Sequence, residues 1–172
     1  MDRGMMKRHK RIFFHPERCL GCLGCQLACQ LHGLGVSCFE AVPIGKKPSE
    51  RMTLTFQQGT PWLEACRHCS SAPCAEACIS GSLRQETGKV IHSPEKCVGC
   101  GSCVLACPFG AIRLLADQDR MIKCNLCEEE GIPPCVAGCL TGALVIAEPT
   151  AFAQSKRKAF ALEARRHLGF KA

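Results

Sequence analysis

Cysteines, glycines and charges interrupt every apolar run in this chain, so no stretch approaches the roughly 20 apolar residues of a membrane-spanning helix. Between the interruptions the pattern is that of short strands. Residues 82–92 read as a β-hairpin turning at Thr87-Gly88. Ala111-Ile112-Arg113-Leu114-Leu115 and Arg120-Met121-Ile122-Lys123, joined through Asp117-Gln118-Asp119, read as a second. Arg11-Ile12-Phe13-Phe14 and Ala143-Leu144-Val145-Ile146 are lone strands. They would pair with each other if the chain closes on itself; unrelated loops would leave these apolar runs exposed.

Two segments fit the pattern less well. Residues 38–65 are broken by Pro43, Gly45, Pro48, Gly59 and Pro61, and only Met52-Thr53-Leu54-Thr55-Phe56 suggests a strand. An irregular insert is expected there. Residues 151–168 predict a helix capped by Thr150, with Phe152, Ala159 and Leu162 on one face and Gly169 at the stop. The other face carries Lys156, Arg157, Lys158, Arg165 and Arg166. That is either a solvated charged face or a docking element for an acidic partner.

Composition adds the chemistry. With 17 cysteines in 172 residues, the thiols must form disulfides, bind zinc or bind iron–sulfur clusters. The length allows one domain or two small fused ones, with no room for a large catalytic core. No apolar signal region follows the charged first ten residues, and the only Arg-Arg pair is Arg165-Arg166. A soluble cytoplasmic protein is therefore expected, in which thiols stay reduced or bind metal.

The cysteines repeat in four groups. Group one is Cys19, Cys22, Cys25 and Cys29, and group three, at the same spacing, is Cys97, Cys100, Cys103 and Cys107. Group two is Cys66, Cys69, Cys74 and Cys78; group four is Cys124, Cys127, Cys135 and Cys139. Both stretch the gap before their third cysteine. Three cysteines at Cys-x2-Cys-x2-Cys let one tight loop serve three corners of a cubane cluster, with Gly21, Gly24, Gly99 and Gly101 letting the backbone come close. The cysteine three residues further on serves the other cluster of a pair. Zinc sites instead take two separated Cys-x2-Cys pairs, and Cys107-Pro108 carries the proline that ends the bacterial cluster motif. Four [4Fe–4S] clusters are the reading. The formal charge of +7 then loses its nucleic-acid meaning. Each cluster with four thiolates carries about −2, which brings the loaded protein to about −1.

Over residues 11–148 the four groups resemble the polyferredoxin-type electron-transfer subunits of complex oxidoreductases, which serve molybdenum or tungsten enzymes, formate hydrogenlyase and nickel carbon monoxide dehydrogenase. The resemblance implies an α+β fold of two ferredoxin-like halves related by pseudo-twofold symmetry. Residues 11–37 and 124–148 would form one half and 66–123 the other, with 38–65 as the insert and 149–172 as helix and tail. It also implies four ligand sets. These are Cys19, Cys22, Cys25 and Cys139; Cys124, Cys127, Cys135 and Cys29; Cys66, Cys69, Cys74 and Cys107; and Cys97, Cys100, Cys103 and Cys78. The stretch 66–83 is most similar to the carbon monoxide dehydrogenase-associated subunits, with the tungsten aldehyde oxidoreductase polyferredoxins sharing much of it. Family members often carry proline after several groups; here Gln30, Ile79 and Leu140 replace it, which tunes packing or potential without removing a ligand.

The implied function is electron transfer between a catalytic oxidoreductase subunit and a downstream acceptor protein, within a hetero-oligomer. Carbon monoxide dehydrogenase comes first as that partner, ahead of a tungsten aldehyde oxidoreductase and a formate dehydrogenase or hydrogenase complex. No catalytic residue, nucleic-acid partner or membrane insertion is expected. A zinc-binding regulatory module is the alternative from a different class. Among the remaining residues, Cys38 reads as an inert buried thiol, and His68 as a hydrogen-bonding neighbour of the ligands or a partner contact. His32 and His92 read as surface residues and Trp62 as packing over a cluster. Cys97-Val98-Gly99-Cys100-Gly101 lacks the third glycine of a dinucleotide loop.

Overall fold

The computed structural model describes residues 9–36, 48–115 and 119–168. In chain order the elements are β1 (Arg11–Phe14), α1 (Gly24–Leu34), β2 (Met52–Gln57), β3 (Thr60–Ala65), α2 (Pro73–Glu76), β4 (Leu83–Glu86) and β5 (Lys89–His92). Then follow α3 (Ser102–Ala106), β6 (Arg113–Leu115), β7 (Arg120–Ile122), α4 (Pro134–Ala137), β8 (Leu144–Ala147) and α5 (Pro149–His167). The strands make antiparallel pairs, β1 with β8, β2 with β3, β4 with β5 and β6 with β7. The fold class is α+β. No helix among the described residues is long and apolar enough to cross a membrane.

The β4–β5 hairpin turns at Thr87-Gly88, both with positive φ (45° and 80°), the geometry whose twist matches flanking strands. The two lone strands do meet, in a register from Arg11 opposite Ala147 to Phe14 opposite Leu144. The β6–β7 hairpin also forms; Asp117 and Gln118 of its expected turn lie outside the described residues.

The insert is less irregular than its prolines suggest. Met52 to Ala65 is a hairpin turning at Gln58-Gly59, again with positive φ at both residues (50° and 81°). Pro61 is tolerated in β3 because a two-stranded ribbon always has a free edge, where a missing N–H breaks no ladder bond. Trp62, opposite Thr55, is 54% exposed rather than packed over a buried site. Cys38 lies outside the described residues.

Helix α5 starts earlier than expected. Pro149 occupies its first turn, where the missing N–H is harmless, and Glu148 holds the cap position, so Thr150 lies inside the helix. Near its start the Phe152 ring stacks on Phe13 at 3.9 Å between centroids, and one turn later Lys156 pairs with Glu17 at 3.2 Å. Ala159 and Leu162 are exposed, so the apolar face predicted for the helix goes unused beyond Phe152. Gly169 lies outside the described residues.

Burial is divided between two cores. The first gathers Met52, Leu54, Leu63 and Leu144 with Cys29 and Cys135, flanked by Ile12 and Phe14. The second gathers Ala72, Leu83, Val90, Ile112 and Met121 with Cys74 and Cys103. Helix α1 packs on α4 in the first, and α2 on α3 in the second. Cysteines are thus part of each core wall.

Candidate metal centres

The sequence repeat is also a structural one. His15-Pro16-Glu17-Arg18 and Ser93-Pro94-Glu95-Lys96 each form one 3-10 turn that delivers Cys19 and Cys97. Each turn is pinned in the same way, His15 N–H to the Ala143 carbonyl and Ser93 N–H to the Ser82 carbonyl. Left-handed residues then open the loop after Cys19 and after Cys97: Gly21 and Leu23 in one, Gly99 and Gly101 in the other. A Cβ at Gly99 would sit on the Asp119 carbonyl, and one at Gly21 would lie 2.7 Å from the tip of the Phe56 ring. In both loops a hairpin from elsewhere presses on the backbone.

Groups two and four match as closely. Pro73 and Pro134 start α2 and α4 and place Cys74 and Cys135 facing inward. His68 and Leu126, one residue before Cys69 and Cys127, both take positive φ (49° and 69°) and both are buried, 2% and 1% exposed. The His68 Nδ1 accepts a hydrogen bond from Val90 N–H at 3.3 Å. Burial, then the charges of Lys123 and Arg11, push its pKa down to about 3, so the ring is neutral, and its burial rules out a surface histidine or a partner contact. His92, expected at the surface, is half-buried, and burial lowers its pKa.

Peptide amides point at sulfur. Gly21 N–H reaches Cys19 Sγ at 3.4 Å, Leu83 N–H reaches Cys78 Sγ at 3.3 Å and Leu126 N–H reaches Cys124 Sγ at 3.4 Å. Burial alone would raise the Cys78 and Cys139 thiols. The Leu83 amide and Ser80 hydroxyl at one, and the Leu144 amide and Thr141 hydroxyl at the other, outweigh it and lower both.

The electrostatic neighbours of several thiols cut across the sequence groups. Burial raises the Cys25 pKa, and Cys139 and Cys19 add to it. Burial, then Cys124 and Cys127, push Cys29 up to about 12; Cys135 rises by burial and by Cys124, Cys29 and Cys127. Burial, then Cys66 and Cys107, push Cys74 up to about 11. Cys103 is raised by burial and then by Cys78, Cys97 and Cys100. Cys22 lies exposed in the loop of Cys19, and Cys69 half-buried in the loop of Cys66. The last cysteine of each group therefore sits among the thiols of another group.

All sixteen cysteines among the described residues are free thiols. Among the described residues no three His, Cys, Asp or Glu side chains converge tightly enough to hold a single metal ion. The donor set suits a different occupant. Soft thiolates that repel one another in an apolar wall need a shared cationic centre larger than one ion, with amides aimed at sulfur; an iron–sulfur cluster supplies that. Bound there, such a cluster takes up and releases single electrons.

Sequence reasoning missed Lys123, whose buried ammonium stands beside Cys66, Cys124 and Cys74. The signal was available in the alternation of β7, which puts residue 123 on the same side as buried Met121.

Residues 60–148 match the model of the 4Fe-4S dicluster domain family. An iron-sulfur protein of Rhodospirillum rubrum is 33% identical over 175 residues, covering 92% of both chains. The electron transport protein HydN of Escherichia coli is 32% identical over 152 residues, covering 78% of this chain and 85% of its own. The formate dehydrogenase iron-sulfur subunit of Wolinella succinogenes is 32% identical over 175 residues, covering 81% and 82%.

Proposed function

The chain belongs to the 4Fe–4S dicluster family of iron–sulfur electron-transfer proteins, and from that premise we propose a relay of four clusters in two coupled pairs. Its job is to conduct electrons rather than to transform a substrate. The ligand sets of the relay are Cys19, Cys22, Cys25 and Cys139; Cys29, Cys124, Cys127 and Cys135; Cys66, Cys69, Cys74 and Cys107; and Cys78, Cys97, Cys100 and Cys103. The observation that carries this is the crossing of thiol neighbours, Cys25 with Cys139 and Cys103 with Cys78. Two ferredoxin-like halves related by a pseudo-twofold axis account for the matched turns before Cys19 and Cys97 and the matched prolines before Cys74 and Cys135.

The ends of the relay are the sets of groups one and three. Their loops hold Cys22 and Cys100, the exposed cysteines among the described residues. Around them stand exposed apolar residues in equivalent places, Leu20 and Leu140 at one end, Val98 and Ile79 at the other. A single exposed leucine means little, but matched apolar pairs beside an exposed ligand suit transient contact with a redox partner. One end serves a catalytic oxidoreductase subunit and the other a downstream acceptor, in a cytoplasmic hetero-oligomer.

The likeness of residues 66–83 favours carbon monoxide dehydrogenase as the catalytic partner. The kinship with a formate dehydrogenase subunit favours the second reading, a formate dehydrogenase complex. Affinity capture under strict anaerobiosis distinguishes them by the activity that co-purifies. For the relay itself, protein purified anaerobically should be brown and hold about sixteen iron atoms, four per cubane. A colourless protein with stoichiometric zinc would overturn the reading.

A further inference from the structure

Lys123 is 4% exposed, an unusual place for an ammonium. Its Nζ donates to the Val90 carbonyl at 2.5 Å and to the Cys124 carbonyl at 3.0 Å. Those bonds tie β5 of the second core to the start of group four, which belongs to the first. The thiols that act on it most strongly are Cys66, Cys124 and Cys74, in that order. These thiols come from two different ligand sets: Cys66 and Cys74 from one, Cys124 from another. Cys124 also acts on Cys66 directly, so the two sets are neighbours across the junction of the cores. Arg51 is a second cation near Cys29, Cys124 and Cys127, but it is only half-buried and so better screened by water.

We infer that Lys123 is a fixed positive charge between the two inner cluster sites, raising the reduction potentials of both relative to the outer two. The inference rests on the crossed ligand sets proposed above. Each cluster site becomes one unit more negative on reduction. A cation held nearby in a medium of low dielectric favours that more negative state far more than one in water does. Passage between the halves moves one electron out of one inner site and into the other, with no bond made and no proton carried. Lys123 acts on both sites at once, so it leaves the driving force of that step unchanged while favouring the electron's presence on the inner pair over the outer sites. It is a positioning charge, not a ligand.

The test compares anaerobically purified full-length protein with Lys123→Met, Lys123→Gln and Lys123→Arg. Iron and acid-labile sulfide come first, and about sixteen iron atoms are expected throughout. Redox titration followed by electron paramagnetic resonance then reads the potentials. In the Met and Gln variants, two of the four clusters should fall in potential. At a fixed poise their reduced-to-oxidised ratio drops about tenfold, a shift of about 59 mV for one electron. The other two should stay in place, and Lys123→Arg should behave as the wild type. The inference is overturned if fully loaded Met and Gln variants keep all four potentials, or if all four move together. Loss of iron in both neutral variants, with Arg retaining it, would also overturn it, because Lys123 would then serve folding alone. A wild-type protein that fails to hold four clusters instead sinks the ligand assignment, before any variant is read.

Discussion

The first core, built on α1, α4, β1 and β8, and the second, built on α2, α3, β4 and β5, are made from the same parts closed in different ways. In the second, β4 and β5 are neighbours in sequence and a two-residue turn joins them. In the first, the equivalent ribbon is β1 paired with β8, strands from nearly opposite ends of the described chain. Loop-closure entropy grows with separation, by about 0.6 kcal/mol per doubling of loop length, so the first core closes at greater entropic cost. Helix length differs too. Cys107-Pro108 stops α3 after five residues, whereas Gln30 follows Cys29 and α1 runs on to Leu34, ending at left-handed Gly35. Glutamine where group three has proline thus lets the helix run on past the last cysteine.

Substitutions at matched positions sharpen the comparison, and the largest effect is expected at Leu144 and Leu83. Both are buried and both follow the last cysteine of their group by five residues. Leu144→Ala and Leu83→Ala should each cost about 2–5 kcal/mol. Iron analysis should show each losing about half of its roughly sixteen atoms, Leu144→Ala from the first core and Leu83→Ala from the second. Equal loss from both cores in either variant would mean that the cores are not separable units.

Gln30→Pro makes the first core imitate the second. Proline inside a helix costs about 3 kcal/mol, less here because only one turn lies beyond it, so about 2 kcal/mol is expected in denaturant unfolding. Circular dichroism should report lost helix while iron content holds. The reverse change, Pro108→Gln, should do little to either.

The two pressed glycines should part company. Gly99→Ala sets a methyl group against the Asp119 backbone carbonyl, which cannot move alone, on top of about 1–2 kcal/mol for its left-handed conformation. Gly21→Ala meets only the far end of the Phe56 ring, which can swing away. Thermal unfolding should rank Gly99→Ala clearly below Gly21→Ala, and a reversed order would contradict the packing at these loops.

The smallest effect at neutral pH is expected at His68, whose counterpart is Leu126. His68→Leu frees the Val90 amide and should cost about 1 kcal/mol at pH 7. The pH profile carries more information. With the folded pKa near 3 against 6.5 for the free side chain, the unfolded chain binds a proton that the folded one refuses. Wild-type stability should therefore decline as pH falls below 6.5, by about 2 kcal/mol at pH 5. Unfolding measured across that window should lose this slope in His68→Leu.

Much of the architecture was legible because local rules and global closure agree. Thr87-Gly88 marks a turn by its chemistry, and two orphan apolar strands betray each other by having no other partner. The β2–β3 hairpin was hidden because Pro61 ordinarily argues against a strand, and only the two-stranded context removes its penalty. Thr150 misled because it is a good cap residue, while Pro149 just before it is a better first-turn residue. The cysteine groups were legible from spacing alone. The charge beside them was not, since Lys123 becomes significant only when Val90, Cys66 and Cys124 converge on it from distant parts of the chain.

The crossing of ligands between groups is the claim on which the relay stands, and single serine substitutions test it directly. Anaerobic Cys22→Ser, Cys135→Ser and Cys139→Ser proteins, followed by electron paramagnetic resonance through a redox titration, show which cluster each change perturbs. Cys139→Ser should disturb the same cluster as Cys22→Ser and leave the one disturbed by Cys135→Ser intact. If Cys139→Ser and Cys135→Ser disturb one and the same cluster, each sequence group holds its own, and the crossed relay is wrong.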